Sequence, residues 1–147
     1  MRRFPTGVAV ATVAVGGQRL GLTIGSLVSL SLEPPLVGMS VGHQSSAHEL
    51  VREAEAFALS ILSEDQVGLA QHFARGTPPI VMWSGVETRE GATGAPLLEG
   101  ALAWLEARKW AEHEAGDHTF FIGEVIATKL GGVGHGLVYR EGGYHPA

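Results

Sequence analysis

Apolar residues fall in short dense runs separated by glycine, not on one face of long helices. Residues 8–15 are β-branched at high density, Gly16-Gly17 follows, and the apolar run resumes over 19–24. Two such runs about a Gly-Gly turn predict a hairpin. Over 26–32 apolar residues alternate with serines; Glu33-Pro34-Pro35 then bars a helix, and 36–41 reads as another strand. Residues 57–61 predict a buried strand and 118–129 a long one. Turns at Gly131-Gly132 and Gly134 lead to a short last strand at 137–139, closed by Gly142-Gly143-Tyr144.

Two helix starts are signalled. Ser46-Ala47-His48-Glu49 has the S-x-x-E form of a capping box and predicts a helix to about Ala56. Ser63-Glu64-Asp65-Gln66 has the S-x-x-Q form and predicts a helix to about Ala74, with an exit loop at 75–79. Residues 80–100 read as an irregular excursion. Residues 101–115 pose a conflict: they are rich in helix formers, and Leu98, Leu102 and Leu105 fit helical spacing, so propensity alone predicts a helix. Many short strands with two helices inserted mid-chain predict a mainly β protein, an antiparallel barrel and not a doubly wound sheet. The Gly-rich nucleotide loops G-x-G-x-x-G and G-x-x-x-x-G-K-[ST] are absent.

Composition narrows the classes. A chain of 147 residues fits one domain, 1–147, with a core large enough to need no staple. It contains no cysteine, so disulfides, thiolate metal sites and a cysteine nucleophile are excluded. This fits a reducing cytoplasm. Net charge is −5 with no Lys/Arg run, which argues against nucleic acid as a partner. No apolar run is long enough to span a membrane, and the opening Met1-Arg2-Arg3-Phe4-Pro5 does not read as a signal peptide. The seven histidines show no metal-ligand spacing, and no G-x-S-x-G elbow appears. Trp83, Trp104 and Trp110 read as core or interface residues.

Four groups of residues could carry chemistry. Thr23, Ser26, Ser29 and Ser31 offer hydroxyls and amides suited to the polar edge of a planar heterocycle, and Gly25 permits close backbone approach. The same stretch also reads as an ordinary Ser-rich loop. Ser45 and Ser46 stand at a helix start, where free amides attract phosphate or where the serines simply cap. Arg75, in His72-Phe73-Ala74-Arg75, could grip a phosphate or compensate a helix dipole. His118, after Gly116-Asp117, could have its tautomer fixed by Asp117, or could belong to a plain turn.

In order along the chain stand Phe4-Pro5-Thr6-Gly7-Val8; Gly21-Leu22-Thr23-Ile24-Gly25-Ser26-Leu27; Ser31-Leu32-Glu33-Pro34-Pro35-Leu36-Val37; Ser45-Ser46; Gln66-Val67-Gly68-Leu69-Ala70-Gln71-His72-Phe73-Ala74; and Gly116-Asp117-His118-Thr119-Phe120-Phe121-Ile122-Gly123-Glu124-Val125. Over essentially its whole length the chain resembles the flavin reductase-like family of split barrels, which includes the small reductase components of two-component flavin monooxygenases. The resemblance implies an antiparallel Greek-key split β-barrel with a few flanking helices, a homodimer, and strand in place of helix at 101–115. It implies an NAD(P)H:flavin oxidoreductase that takes FMN or FAD with NADH or NADPH and can supply a separate flavin-dependent oxygenase. Thr23, Ile24, Gly25 and Ser26 would line the isoalloxazine edge. Ser45, Ser46 and Arg75 would face the phosphate, Phe73 would join the cofactor site, and His118 would place the nicotinamide. A flavin-binding protein without turnover, serving storage, sensing or electron transfer, is the alternative reading.

Three departures from the family pattern stand out. The family's T-x-S-S-F is Thr23-Ile24-Gly25-Ser26-Leu27 here, losing one hydroxyl and one aromatic ring. Ser60 replaces an asparagine common before the second helix. Only Met1-Arg2-Arg3 stand before F-P-T-G, where relatives carry a short helix, so the chain either lacks that helix or starts late.

Overall fold

The computed structural model describes all residues, Met1–Ala147. Twelve strands and three short helices follow in the order β1 (Thr6–Gly7), β2 (Ala9–Val15), β3 (Gln18–Ile24), β4 (Val28–Leu32), β5 (Pro35–Gly42), α1 (His48–Glu53), β6 (Ala56–Ile61), α2 (Val67–Ala74), α3 (Pro79–Met82), β7 (Thr88–Arg89), β8 (Leu97–Leu98), β9 (Ala103–Ala115), β10 (His118–Leu130), β11 (Leu137–Arg140) and β12 (Gly143–Pro146). Seven strands form the main sheet in the order β3-β2-β6-β9-β10-β5-β4, every pairing antiparallel. Strands β1, β11 and β12 make a small second sheet, and β7 pairs with β8. The hairpins β2–β3, β4–β5 and β9–β10 are thus assembled out of sequence order, as in a Greek key.

Chain connectivity forces the sheet to curl. A flat seven-stranded sheet would hold its edge strands roughly 29 Å apart, six spacings of about 4.8 Å. The two edges, β3 and β4, are consecutive in the chain and joined only by residues 25–27, a link that reaches about 14 Å at full stretch. The sheet therefore bends round until its edges meet at this link, making a barrel that is split between β3 and β4. Its interior is one cluster of 24 buried residues that includes Val10, Val13, Met39, Leu59 and Phe121.

The hairpin at Gly16-Gly17 forms as expected, both glycines taking positive φ (57° and 81°). The capping box at Ser63 forms too: Gln66 Oε1 accepts from the Ser63 amide at 3.1 Å, opening a 3₁₀ turn into α2. The conflict at 101–115 resolves to strand, as the family resemblance implies, and two other expectations need correction. Propensity fails at 101–115, where β9 pairs with β6 on one side and β10 on the other. A helix there would leave both neighbours' backbone groups unpaired inside the sheet, a larger cost than weak strand propensity. The first helix stops at Glu53, not near Ala56. Ala54 turns extended, Ala56 pairs with Arg108, and Ser46 makes no capping bond because the helix starts one residue later, with Ala47 at its N-cap, while Glu49 faces His48 and Arg52. Residues 80–100 hold more order than an irregular excursion: α3, the β7–β8 pair, and Leu97 and Leu98 buried. There Ser60 accepts the Leu98 amide at 3.0 Å, which gives that departure from the family pattern a structural use.

Candidate functional site

Where the barrel is split, a cleft of about 800 Å³ opens between the end of β3, the end of β5, the 43–47 turn and the end of α2. Its volume falls in the roughly 300–1,000 Å³ range of small-molecule sites. Nine residues expected at a cofactor site line it, Thr23, Ile24, Gly25, Ser26, Ser45, Ser46, Phe73, Arg75 and His118, whereas Ser29 and Ser31, also offered as candidate hydroxyls, lie along the edge strand β4 and do not. They come from four separated stretches of chain, and only the curled sheet brings them together.

These residues are not equivalent. Thr23 donates its hydroxyl to the Ala70 carbonyl at 2.7 Å, tying β3 to α2. Ser26 Oγ accepts the Ser40 amide at 3.0 Å and donates to the Ser40 carbonyl at 3.2 Å. It therefore stitches the 25–27 link to β5, where the sequence reading had given it a free hydroxyl. The side chain of Ile24 is buried in the core, leaving only its backbone to face the cleft. Phe73 is also buried; its ring packs on Gly21, where a Cβ would stand 2.8 Å from ring carbons, and against Trp83 at 5.3 Å. It forms a wall and carries no polar function. Gly25 does not simply open space for a ligand, because a Cβ there would stand 2.6 Å from Thr6 Oγ1. Ser45 Oγ accepts the Ala47 amide at 3.2 Å.

What remains unpaired is informative. The amides of Gly25, Ser26, Gln44 and Ser46, the Ser46 hydroxyl and the Arg75 guanidinium make no hydrogen bond or ion pair within the chain. Arg75 and His118 are the only ionisable side chains lining the cleft; no carboxylate does, although the chain carries 15 acidic residues. A cleft without carboxylates in an acidic protein, with one free guanidinium and several free amides, suits an anionic ligand with a polar edge. A flavin nucleotide, planar ring at one end and phosphate at the other, fits that donor set. Thr6, Ser40, Gln44 and Met82 also line the cleft and were not singled out. Thr6 lay in the quoted F-P-T-G-V stretch, but nothing local marks it as a site residue.

His118 stands at the start of β10 opposite Gly42, with Nε2 3.5 Å from where a Cβ on Gly42 would lie. Its Nδ1 is 2.7 Å from Asp117 Oδ1, and this bond holds the Asp117 carboxyl below the usual carboxylate range. An ionised Asp117 can only accept, so Nδ1 is the nitrogen that donates in this bond and Nε2 is the one turned to the cleft.

Beside the cleft lies a second polar group whose members bond mainly to one another. The buried Thr119 hydroxyl donates to Glu114 Oε1 at 3.1 Å and lies 2.8 Å from His48 Nε2 and 3.2 Å from His43 Nε2. Arg52 binds Glu114 at 2.7 Å, and His43 meets the same carboxylate at 2.9 Å. Burial pushes the Glu114 pKa up, but the bonds from Thr119 and His43 outweigh it and hold it below the usual range. The His43 amide also donates to the Asp117 carbonyl. This group therefore fastens the 43–47 turn to the strand that carries His118.

A family model described as flavin reductase like domain matches residues 1–147. The chain belongs to this family. Among its relatives, the NADH-dependent FAD reductase of Streptomyces globisporus is 40% identical over 142 residues, spanning 95% of this chain and 78% of that one. The reductase component of 4-hydroxyphenylacetate 3-monooxygenase from Thermus thermophilus is 37% identical over 144 residues, 98% of this chain and 90% of that one. Among solved structures, the Streptomyces globisporus C-1027 NADH:FAD oxidoreductase in complex with NAD and FAD fragments superposes with a TM-score of 0.91 at 37% identity, covering 97% of this chain and 86% of that one.

Proposed function

We propose that this chain is an NAD(P)H:flavin oxidoreductase that takes FMN or FAD in the split of the barrel. The observation that carries the reading is the carboxylate-free cleft with its unpaired Arg75 and open amides. When bound, the flavin supplies the hydride acceptor and the nicotinamide nucleotide the hydride, so transfer itself needs no side-chain acid or base. The protein's part is to bind and orient. The Gly25 and Ser26 amides present donors to the ring edge, where they favour added negative charge. Ser46 and Arg75 hold the phosphate. Phe73 walls the ring side through packing, Ile24 offers its backbone, and His118, oriented by Asp117, presents its Nε2 beside the nicotinamide position.

Reduced flavin then serves a separate flavin-dependent oxygenase, the role named for the Thermus thermophilus relative. The working unit is a homodimer of single-domain chains, 1–147, acting in the cytoplasm, a compartment the absence of cysteine fits. Strand β4, an edge of the main sheet, exposes Val28, Leu30 and Leu32, and the far end of β10 exposes Ile126 and Leu130; this apolar surface is what a second copy would cover. Light scattering of the purified protein tests the dimer, and a monomer would remove it. Oxidation of NADH and NADPH at ~340 nm, with and without FMN or FAD, tests the activity. Turnover saturating in flavin is expected. Tight flavin binding with no turnover under any pairing would leave a flavin carrier.

A further inference from the structure

Resting on the flavin reading above, we infer that the Thr6 hydroxyl is a flavin-contacting group, brought to the ring's polar edge because residue 25 is glycine. Around the 25–27 link three hydroxyls reach the cleft. Thr23 donates to Ala70 and Ser26 is engaged with Ser40 in both directions. The Thr6 hydroxyl makes no hydrogen bond within the chain, although the residue is half-buried and its backbone is fixed by pairing with Tyr139.

Thr6 occupies space that a side chain at 25 would fill. A Cβ on Gly25 would stand 2.6 Å from Thr6 Oγ1 and 3.4 Å from its Cβ. Any residue with a Cβ at 25 must therefore push the Thr6 hydroxyl away from the Gly25 amide. With glycine there, one hydroxyl and the open amides of Gly25 and Ser26 lie side by side at the cleft rim. A flavin's pyrimidine edge alternates carbonyl acceptors with an N–H donor, so it needs both kinds of partner. Amides supply only donors; Thr6 Oγ1 supplies a donor and an acceptor. Thr6 also borders a second cavity of about 230 Å³, lined by Tyr139 and Tyr144, that shares Thr23, Ile24 and Gly25 with the cleft. It stands at the junction, where it fixes how far a ring can slide toward the tyrosines.

The test is titration of FMN and of FAD, followed by quenching of flavin fluorescence, for wild type, Thr6→Val, Thr6→Ser, Gly25→Ala and Thr6→Val/Gly25→Ala. Thr6→Val keeps the shape and removes the hydroxyl; it should weaken binding roughly three- to tenfold, while Thr6→Ser stays within about twofold. Because the hydroxyl has no partner in the protein, Thr6→Val should leave the urea midpoint unchanged. Gly25→Ala should weaken binding similarly, and in the Thr6→Val background it should add little, since both act on one hydroxyl. Equal binding by wild type and Thr6→Val overturns the assignment, as does full additivity of the two changes. Wild type that quenches neither flavin overturns the flavin reading itself, and the role of Thr6 with it.

Discussion

Two polar regions meet at the 42–47 turn, and they differ in what their groups are bonded to. In the cluster around Thr119, nearly every donor and acceptor is taken by another side chain. The exception is Arg52 Nε, which is buried without a hydrogen bond and has the Glu112 carboxylate 3.4 Å away. In the cleft, Arg75, Ser46, Thr6 and a run of amides have no partner in the chain. The first region contributes to stability, because removing one group leaves buried partners such as His48 and Thr119 unsatisfied. The second is the one proposed to bind ligand, because its groups are already solvated and have no partner in the chain. A polar residue near a site is thus best classed by whether its bonds are satisfied, not by its distance from the cleft.

Substitutions can break or sharpen this contrast. Arg75→Ala should weaken flavin binding roughly ten- to a hundredfold, more at low salt, because a charge-assisted contact to phosphate is lost. Its urea midpoint should not move; a variant that unfolds more readily would place Arg75 with the engaged groups. Thr119→Val should do the reverse, costing about 1–3 kcal/mol of stability by leaving the buried His48 Nε2 without its partner. Equilibrium urea denaturation reads this as a lower midpoint with unchanged slope.

Glu106 gives a pH test outside both regions. It is buried and accepts from the Ala92 and Thr93 amides and the Thr93 hydroxyl. Burial pushes its pKa up, yet these bonds outweigh it and hold the value below the ordinary 4.5. A lowered folded-state pKa gives stability that is present above the unfolded value and lost as pH falls through the folded one. Glu106→Gln should therefore be less stable than wild type near pH 7, and the gap should narrow below about pH 4.5. A gap that stays constant down to ~pH 3 would mean the charge contributes nothing. The smallest effect is expected from His118→Ala, a few-fold rise in KM for the nicotinamide nucleotide at nearly unchanged flavin affinity, read from steady-state kinetics.

Much of the site was legible because its marks are local. Serines at a helix start, an arginine after a helix and a Gly-Asp-His turn can each be read in a few residues, and all reach the cleft. Whether a hydroxyl is free could not be read in this way. Ser26 and Thr23 are engaged by Ser40 and Ala70, 14 and 47 residues away. Thr6 is free, but its relation to Gly25 exists only after the barrel closes. The same holds for β9. Its composition favours helix, and only the pairing offered by β6 and β10, the first setting Leu59 opposite Leu105 and Ser60 opposite Trp104, makes it strand. Local propensity loses where two neighbouring strands already demand partners.

The short link at 25–27 acts as the clasp of a hoop. Its length fixes the circumference of the barrel, and the Ser26–Ser40 stitch keeps it fastened. The rims it holds together also bound the cleft, so a molecule seated across both is a cross-brace on the clasp. Grip on the ligand and closure of the hoop are then one mechanical variable. An extra residue inserted in the link would loosen both together, and saturating ligand would show itself as a tightened hoop, through a raised unfolding temperature.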